Sequence, residues 1–358
     1  MSGSIHPLVS FIVPTLNRGK YVVRAVQSCL DADAKGAGVD VEVVVLDSES
    51  DDGSWEALNE RYGHDPRVTL AQNRRGLGPT KSWLDGAELA RGDFLTFIWS
   101  DDFISPRFLT ALVPALRGGA ALSVGRGLIR DIDDESPLPV VAGEEEVERD
   151  RFLTGYFRRG YDDGVFRPVS PACSLFSREA FDSWRNVATA WCRETPLREE
   201  LHWRRAIGPD LLLFLIAIRM TPAGVPLSRE VVAQFSHHED SFSVAASRLA
   251  YETGYWLARQ WYLSVALPEQ ASKTTAASIA HAGAGICFGI ILALHATTQF
   301  SSKGLKDARG IARETLELWR ITWRRGIACK VALRIPSEFC RLFSWLLRQV
   351  RPSSIAAR

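Results

Sequence analysis

Apolar positions in the N-terminal part of the chain follow two alternating periods. Short β-branched and aromatic runs predict strands at Val9–Val13, Val41–Leu46, Val68–Leu70 and Phe94–Ile98. Between them, helical spacing predicts helices over Tyr21–Leu30, Ser54–Tyr62 and Pro79–Ala90, and a further one from Ser105-Pro106 through Leu116. Asp51 and Asp52 precede the second helix, where acids suit its dipole, and Pro106 takes a first-turn position. Strand–helix alternation of this kind implies a mostly parallel α/β sheet with flanking helices. Ligands of such sheets bind outside the carboxyl ends of the strands, where the strand order reverses. That singles out Pro14–Arg18, Asp47–Asp52 and Trp99–Asp102, each of which follows a predicted strand.

The pattern then loosens. Asp131–Asp150 is acidic, includes Glu144–Glu146, and reads as a solvated loop. Pro168–Arg178 reads as a loop running into a helix, Leu211–Met220 as an apolar helix with Asp210 at its start, and Val225–Phe235 as extended chain. A polar cluster follows at His237–Ser243, and from Val244 the pattern is helical, which divides the chain into regions 1–243 and 244–358. Thr274–Ser302 lacks Asp, Glu, Lys and Arg and is long enough to cross a bilayer, but Gly, Ala, Ser, Thr and two histidines dilute it. It reads as a small-residue helix packed within the protein. Trp323–Arg351 mixes basic residues with Trp, Phe, Leu and Ile. That pattern suits peripheral contact with a membrane surface as well as a helix packed on its own domain.

Composition narrows the classes. The 358 residues are 46% hydrophobic and 24% charged, ordinary for a globular protein of about two domains. A net charge of +1 provides no global basic field, so no nucleic-acid partner is expected. The six cysteines form no C-x-x-C pair, which argues against zinc or redox motifs and for reduced thiols in a cytoplasmic protein. Residues 1–7 lack the basic patch and apolar run of a secretory signal.

The candidate chemistry lies in the post-strand segments. Asp47 ends an apolar strand and is followed by Ser48-Glu-Ser-Asp-Asp-Gly-Ser54. A carboxylate there can accept hydrogen bonds from a base or ribose, or cap the next helix; the residues alone leave both open. Asp101 and Asp102 sit together just past a buried strand, and adjacent acids repel unless a cation or donors compensate. One or two carboxylates with substrate phosphates is the usual Mg2+ arrangement; helix capping is the competing role. Asp210 can be a base or an N-terminal helix acid, and His238 a metal ligand or a loop histidine. Gly76-Leu-Gly78 lacks the third glycine of a dinucleotide loop.

Taken in order, these segments resemble family 2 glycosyltransferases of the GT-A fold. The matching stretches are Val9–Arg18, Val43–Ser54, Asn73–Gly78, Ala90–Asp102, Ser170–Phe181, Pro209–Ala217 and Phe235–Ser243, across about the first 245 residues. The resemblance implies an enzyme that moves a sugar from a nucleotide-diphosphate donor to a hydroxyl of a glycan or lipid-linked saccharide, with inversion. By it, Pro14, Thr15, Asn17, Arg18, Asp47, Ser48, Asn73, Gly78 and Lys81 would line the donor site. Asp101, Asp102 and His238 would serve Mg2+ or Mn2+, and Asp210 would be the catalytic base. It also implies work in cell-envelope polysaccharide synthesis, in the cytoplasm or at the inner membrane face. The chain departs from the family pattern at Trp99, which replaces the first acid of D-x-D, at Pro209, which precedes the base, and at Ser236, where arginine is often found. A nucleotidyltransferase and an inactive sugar-nucleotide-binding scaffold are the alternative readings; the Gly-rich signature of the former is missing after the first strand, where Pro14-Thr-Leu-Asn-Arg18 stands.

Overall fold

The structure, a computed structural model, describes residues 6–140, 143–157, 163–222, 224–238, 248–266 and 313–314. The stretches 274–302 and 323–351, and Ser241 and Ser243, lie outside the described residues.

The N-terminal half alternates as its periodicity predicts. In order come β1 (Leu8–Thr15), α1 (Gly19–Leu30), α2 (Ala34–Ala37), β2 (Asp40–Asp47), α3 (Ser54–Tyr62), β3 (Val68–Gln72), α4 (Pro79–Leu89), β4 (Phe94–Phe97), β5 (Phe103–Ile104) and α5 (Phe108–Arg117). Next are β6 (Leu122–Asp131), β7 (Glu144–Glu148), α6 (Arg149–Gly155), β8 (Ser174–Ser177), α7 (Arg178–Trp191), α8 (Pro196–Arg198), α9 (Pro209–Met220), β9 (Gly224–His237) and α10 (Arg248–Trp261).

The strands form one sheet in the order β3-β2-β1-β4-β8-β6-β9-β5, with β7 added on β9. From β3 through β4 all pairing is parallel. Both faces of this part are covered, as a parallel sheet requires. On one face Val9, Phe11 and Val13 of β1 pack with Val22 and Val26 of α1 and Phe108 and Leu112 of α5. On the other, Ile12 meets Gly86 of α4 so closely that a Cβ at Gly86 would lie 2.6 Å from its Cγ2. Beyond β4 the sheet is mixed: β8 runs antiparallel to β4 and β6, while β6 and β9 are parallel.

Two segments depart from the sequence expectation: Ser174–Ser177, inside the stretch 168–178 read as a loop running into a helix, is β8, paired antiparallel between β4 and β6. Within the acidic stretch 131–150, Glu144–Glu148 is not a loop but β7, antiparallel to β9 with Val147 opposite Val225. Its ladder is made by the main chain, and Val147 is its buried side chain, so the strand leaves little hydrophobic pattern to read. Among the described residues, those up to Leu153 and from 163 to Tyr255 form one compact unit. Thr154–Phe157 and the residues from Trp256 onward belong to a second. Cys29, Cys173 and Cys192 are buried free thiols. Among the described residues, no helix is long and apolar enough to cross a membrane.

Candidate active site

The carboxyl ends of the parallel strands line up. Thr15 of β1 is the ladder partner of Asp47 of β2, which in turn partners Gln72 of β3. On the other side Ile12 pairs with Phe97, the last residue of β4. Strand order reverses at β1, so the loops after β1 and β4 flank the crevice where such sheets bind ligands.

Asp47 is fully buried and organises the turn behind it. Its Oδ2 accepts hydrogen bonds from Ser50 N and Gln72 Nε2, each at 3.0 Å, and its Oδ1 accepts from Ser50 Oγ. The turn then clasps the loop after β1. Asn17, held at φ +52°, donates from its backbone to Ser50 Oγ at 2.8 Å and from Nδ2 to Asp51 Oδ1 at 2.8 Å. Arg75 completes the clasp with an ion pair to Asp51, and hydrogen bonds from Arg75 and Asn17 hold the Asp51 carboxyl down at about 2. Ser48 N reaches back to Thr15 O at 2.9 Å, and Ser48 Oγ lies 3.0 Å from Ser82 Oγ of α4. Asn73 Nδ2 donates to the same Ser82 hydroxyl at 2.9 Å. Among the described residues, Thr15 Oγ1 and Asn73 Oδ1 are buried with no hydrogen-bond partner. Pro14, Thr15, Asn17, Ser48, Asp47 and Asn73 are thus gathered at one strand edge. Lys81 has an ion-pair partner in Asp85, one helical turn on in α4.

Gly78 has a structural duty of its own. Its φ is +91°, and a Cβ there would lie 2.6 Å from Trp203 O, so only glycine lets the turn at Trp203–Arg204 approach α4.

The segment after β4 carries the second cluster. Asp101 Oδ2 lies 2.9 Å from His238 Nε2 and 3.4 Å from Arg18 Nε. Asp102 is buried and accepts a hydrogen bond from Ser236 N at 2.8 Å, which ties the end of β9 to this segment. Burial, and then the negative charge of Asp101, raise the Asp102 carboxyl well above its ordinary range. Asp101 is therefore the more accessible of the two acids, and Asp102 seats the strand that delivers His238. Arg24 of α1 adds to this support, donating to Asp101 O at 3.1 Å, Ser236 Oγ at 3.3 Å and Ile132 O at 2.7 Å. Asp101 and His238 place a carboxylate oxygen and an imidazole nitrogen side by side, and the carboxylate is the donor that Mg2+ or Mn2+ would take together with diphosphate and water. No closed set of three or more His, Cys, Asp or Glu ligands is formed among the described residues.

Trp99 stands where D-x-D sequences carry their first acid. Its ring lies 4.7 Å from Trp83 and stacks on Phe97 at 5.9 Å, and its Nε1 donates to Ser170 Oγ at 2.8 Å. The position is part of an aromatic wall that continues through Phe181 and Trp184.

Asp210 is set by other residues. It lies at the start of α9, behind Gly208 at φ +112°. Its Oδ1 accepts from Leu211 N at 2.8 Å and its Oδ2 from Tyr255 Oη at 2.7 Å. Trp184 Nε1 fixes the preceding carbonyl of Pro209 at 2.8 Å. Burial pushes the Asp210 carboxyl up to about 7, against the opposing pull of the Tyr255 hydroxyl and the Leu211 amide. A line of contacts runs from here toward Gly78. His202 Nε2 lies 2.9 Å from Gly254 O, and Thr80 Oγ1 donates to His202 O at 2.5 Å. A cavity of about 650 Å3, bordered by Ser123, Glu146, Thr221 and Leu227, includes none of these residues.

Sequence reasoning passed over Ser50, Gln72, Ser82, Arg24 and Tyr255. The first three are ordinary polar residues: strand register places Gln72, the turn after β2 places Ser50, and α4 places Ser82. A signal did exist for Tyr255: it follows Tyr251 by four residues, one helical turn.

Comparison with known proteins bears on the fold and the family resemblance. A GalNAc(5)-diNAcBac-PP-undecaprenol beta-1,3-glucosyltransferase of Campylobacter jejuni is 29% identical over 190 residues, 52% of this chain and 59% of that one. Chondroitin synthase of Escherichia coli is 32% identical over 133 residues, 37% of this chain and 18% of that one. The chain thus spans less than two thirds of the length of these relatives. The crystal structure of S. aureus TarS 1-349 in complex with UDP-GlcNAc superposes with a TM-score of 0.56 at 17% identity, covering 87% of this chain and 82% of that one. The likeness is one of fold, the GT-A fold that the segments after the strands resemble. Residues 10–185, just short of half of the chain, match the family model described as Glycosyl transferase family 2, and in that segment the chain is similar to this glycosyltransferase family.

Proposed function

We propose that the chain transfers a sugar from a nucleoside diphosphate donor to a hydroxyl of a saccharide or lipid-linked saccharide, with inversion at the anomeric carbon. The observation that carries this reading is the Asp101–His238 pair beside Arg18, at the edge where the loops of Asp47 and Asn73 also end. The donor class is supported by UDP-GlcNAc in the TarS complex, and the acceptor class by the lipid-linked glycan in the name of the Campylobacter relative.

In this reading Thr15, Asn17, Asp47, Ser48 and Asn73 form the cradle for base and ribose, and Arg18 neutralises diphosphate. Asp101 and His238 would hold Mg2+ or Mn2+, which when bound offsets the charge that develops on the leaving diphosphate. The acceptor oxygen attacks the anomeric carbon, the bond from that carbon to the diphosphate oxygen breaks with its electron pair, and the acceptor proton passes to Asp210. A lipid-linked acceptor would bring the chain to the inner face of the cell membrane, where the basic stretch 323–351 suits an anionic surface.

Hydrolysis of UDP-GlcNAc and transfer to saccharide acceptors test the reading. Asp210→Asn should lower turnover about 10²–10⁴-fold while donor affinity stays near that of the parent. Full turnover in that variant overturns the base assignment. Release of pyrophosphate from a nucleoside triphosphate would point to nucleotidyl transfer, and no hydrolysis of any sugar nucleotide to an inactive scaffold.

A further inference from the structure

We infer that Tyr255, which lies beyond the family-matched segment, is a positioning residue for the Asp210 base. The inference rests on the proposed role of Asp210. The two side chains are 45 residues apart, and both are buried, at 7% and 8% exposure. Tyr255 Oη lies 2.7 Å from Asp210 Oδ2, while the other carboxylate oxygen takes the Leu211 amide. Each donor occupies one lone pair, and a carboxylate offers about four. The tyrosine therefore fixes the orientation of the base from the side opposite the Leu211 amide.

The elements around Asp210 supply few alternatives. Its own turn brings Gly208 and Pro209, and α7 spends the Trp184 indole on the Pro209 carbonyl. His202 spends its Nε2 on Gly254 O. Tyr251, half-buried, lies 3.2 Å from Tyr255 Oη, one turn earlier in α10. Among the described residues Tyr255 makes the one side-chain hydrogen bond to Asp210. A hydrogen bond that favours the ionised carboxylate counters the burial that disfavours it. Tyr255 is thus the side chain that, with the neighbouring backbone amides, keeps a buried acid usable as a base near neutrality, and Tyr251 extends its hydroxyl chain.

Infrared titration of the Asp210 carboxyl, with Asp210→Asn as the subtraction control, reads this directly. The pH profile of UDP-GlcNAc hydrolysis reads it through turnover. In Tyr255→Phe both should move to higher pH by about one unit, so that kcat at pH 7 falls several-fold and KM for UDP-GlcNAc is unchanged. Tyr251→Phe should shift both in the same sense by less, and it serves as the test if Tyr255→Phe does not fold. An unmoved titration in the folded variant overturns the inference. A moved titration with full turnover in Asp210→Asn would uphold the hydrogen bond, remove the base, and so overturn the catalytic part alone.

Discussion

His238 Nε2 stands 2.9 Å from Asp101 Oδ2 across 137 residues of sequence, and Arg18 Nε stands 3.4 Å from the same oxygen. The loop after β1, the segment after β4 and the end of β9 therefore meet at one carboxylate. If this is where the metal and diphosphate bind, His238→Ala should weaken UDP binding in the presence of Mn2+ by at least about tenfold. Binding without the metal should change little. Calorimetry of UDP with and without Mn2+ checks this, and equal losses under both conditions would refute it.

The Asp210 carboxyl, raised from 3.8 to about 7 by burial, makes two pH predictions of opposite sense. As a base it works ionised, so turnover should climb as pH rises through about 7 and level off above. Stability should run the other way. Between 3.8 and about 7 the folded chain keeps a proton that the unfolded chain has lost, so folding weakens as pH rises across that window and then levels off. A shift of this size corresponds to on the order of 4 kcal/mol. Asp210→Asn removes the penalty, and its melting temperature should exceed that of the parent at pH 8 but not at pH 4. Melting curves at the two pH values decide.

Gly78 and Gly76 both have positive φ but differ in what surrounds them. A Cβ at Gly78 meets Trp203 O at 2.6 Å and Arg204 Cα at 3.1 Å, whereas a Cβ at Gly76 meets nothing within 4 Å. Gly78→Ala should therefore cost about 2–4 kcal/mol of stability and Gly76→Ala about 1–2 kcal/mol. Urea denaturation of the two variants measures the gap, and equal costs would remove the close approach of Trp203 as the cause.

Trp99→Asp would restore the acid that D-x-D sequences carry. Here it breaks the hydrogen bond to Ser170 and puts a charge into the aromatic wall of Trp83, Phe97 and Phe181. A loss of about 2–4 kcal/mol is expected, with no gain in Mn2+-dependent UDP binding. Tighter metal-dependent binding in this variant would show that the wall tolerates an acid.

Much of this arrangement was legible in the chain itself. The β-branched runs at Val9–Val13 and Val41–Leu46 became strands whose ends place Thr15 beside Asp47, because parallel strands buried on both faces leave continuous apolar signatures. The pairing of Asp101 with His238 followed from a resemblance in the order of segments, since nothing local to either residue signals the other. Short or edge strands were not legible: β5 has two residues, and β7 carries four glutamates around one buried valine. Tyr255 escaped because its role depends on where α10 lies against the start of α9, and helical periodicity fixes only which residues share a face.

The two polar atoms near the strand edge that have no partner among the described residues have a consequence for binding. A buried polar atom without a partner costs about 1–3 kcal/mol, and Thr15 Oγ1 and Asn73 Oδ1 both stand in that condition where the first and third strands end. A molecule that hydrogen-bonds to those two atoms would recover that cost on binding, so part of its affinity would come from groups the fold itself leaves unused.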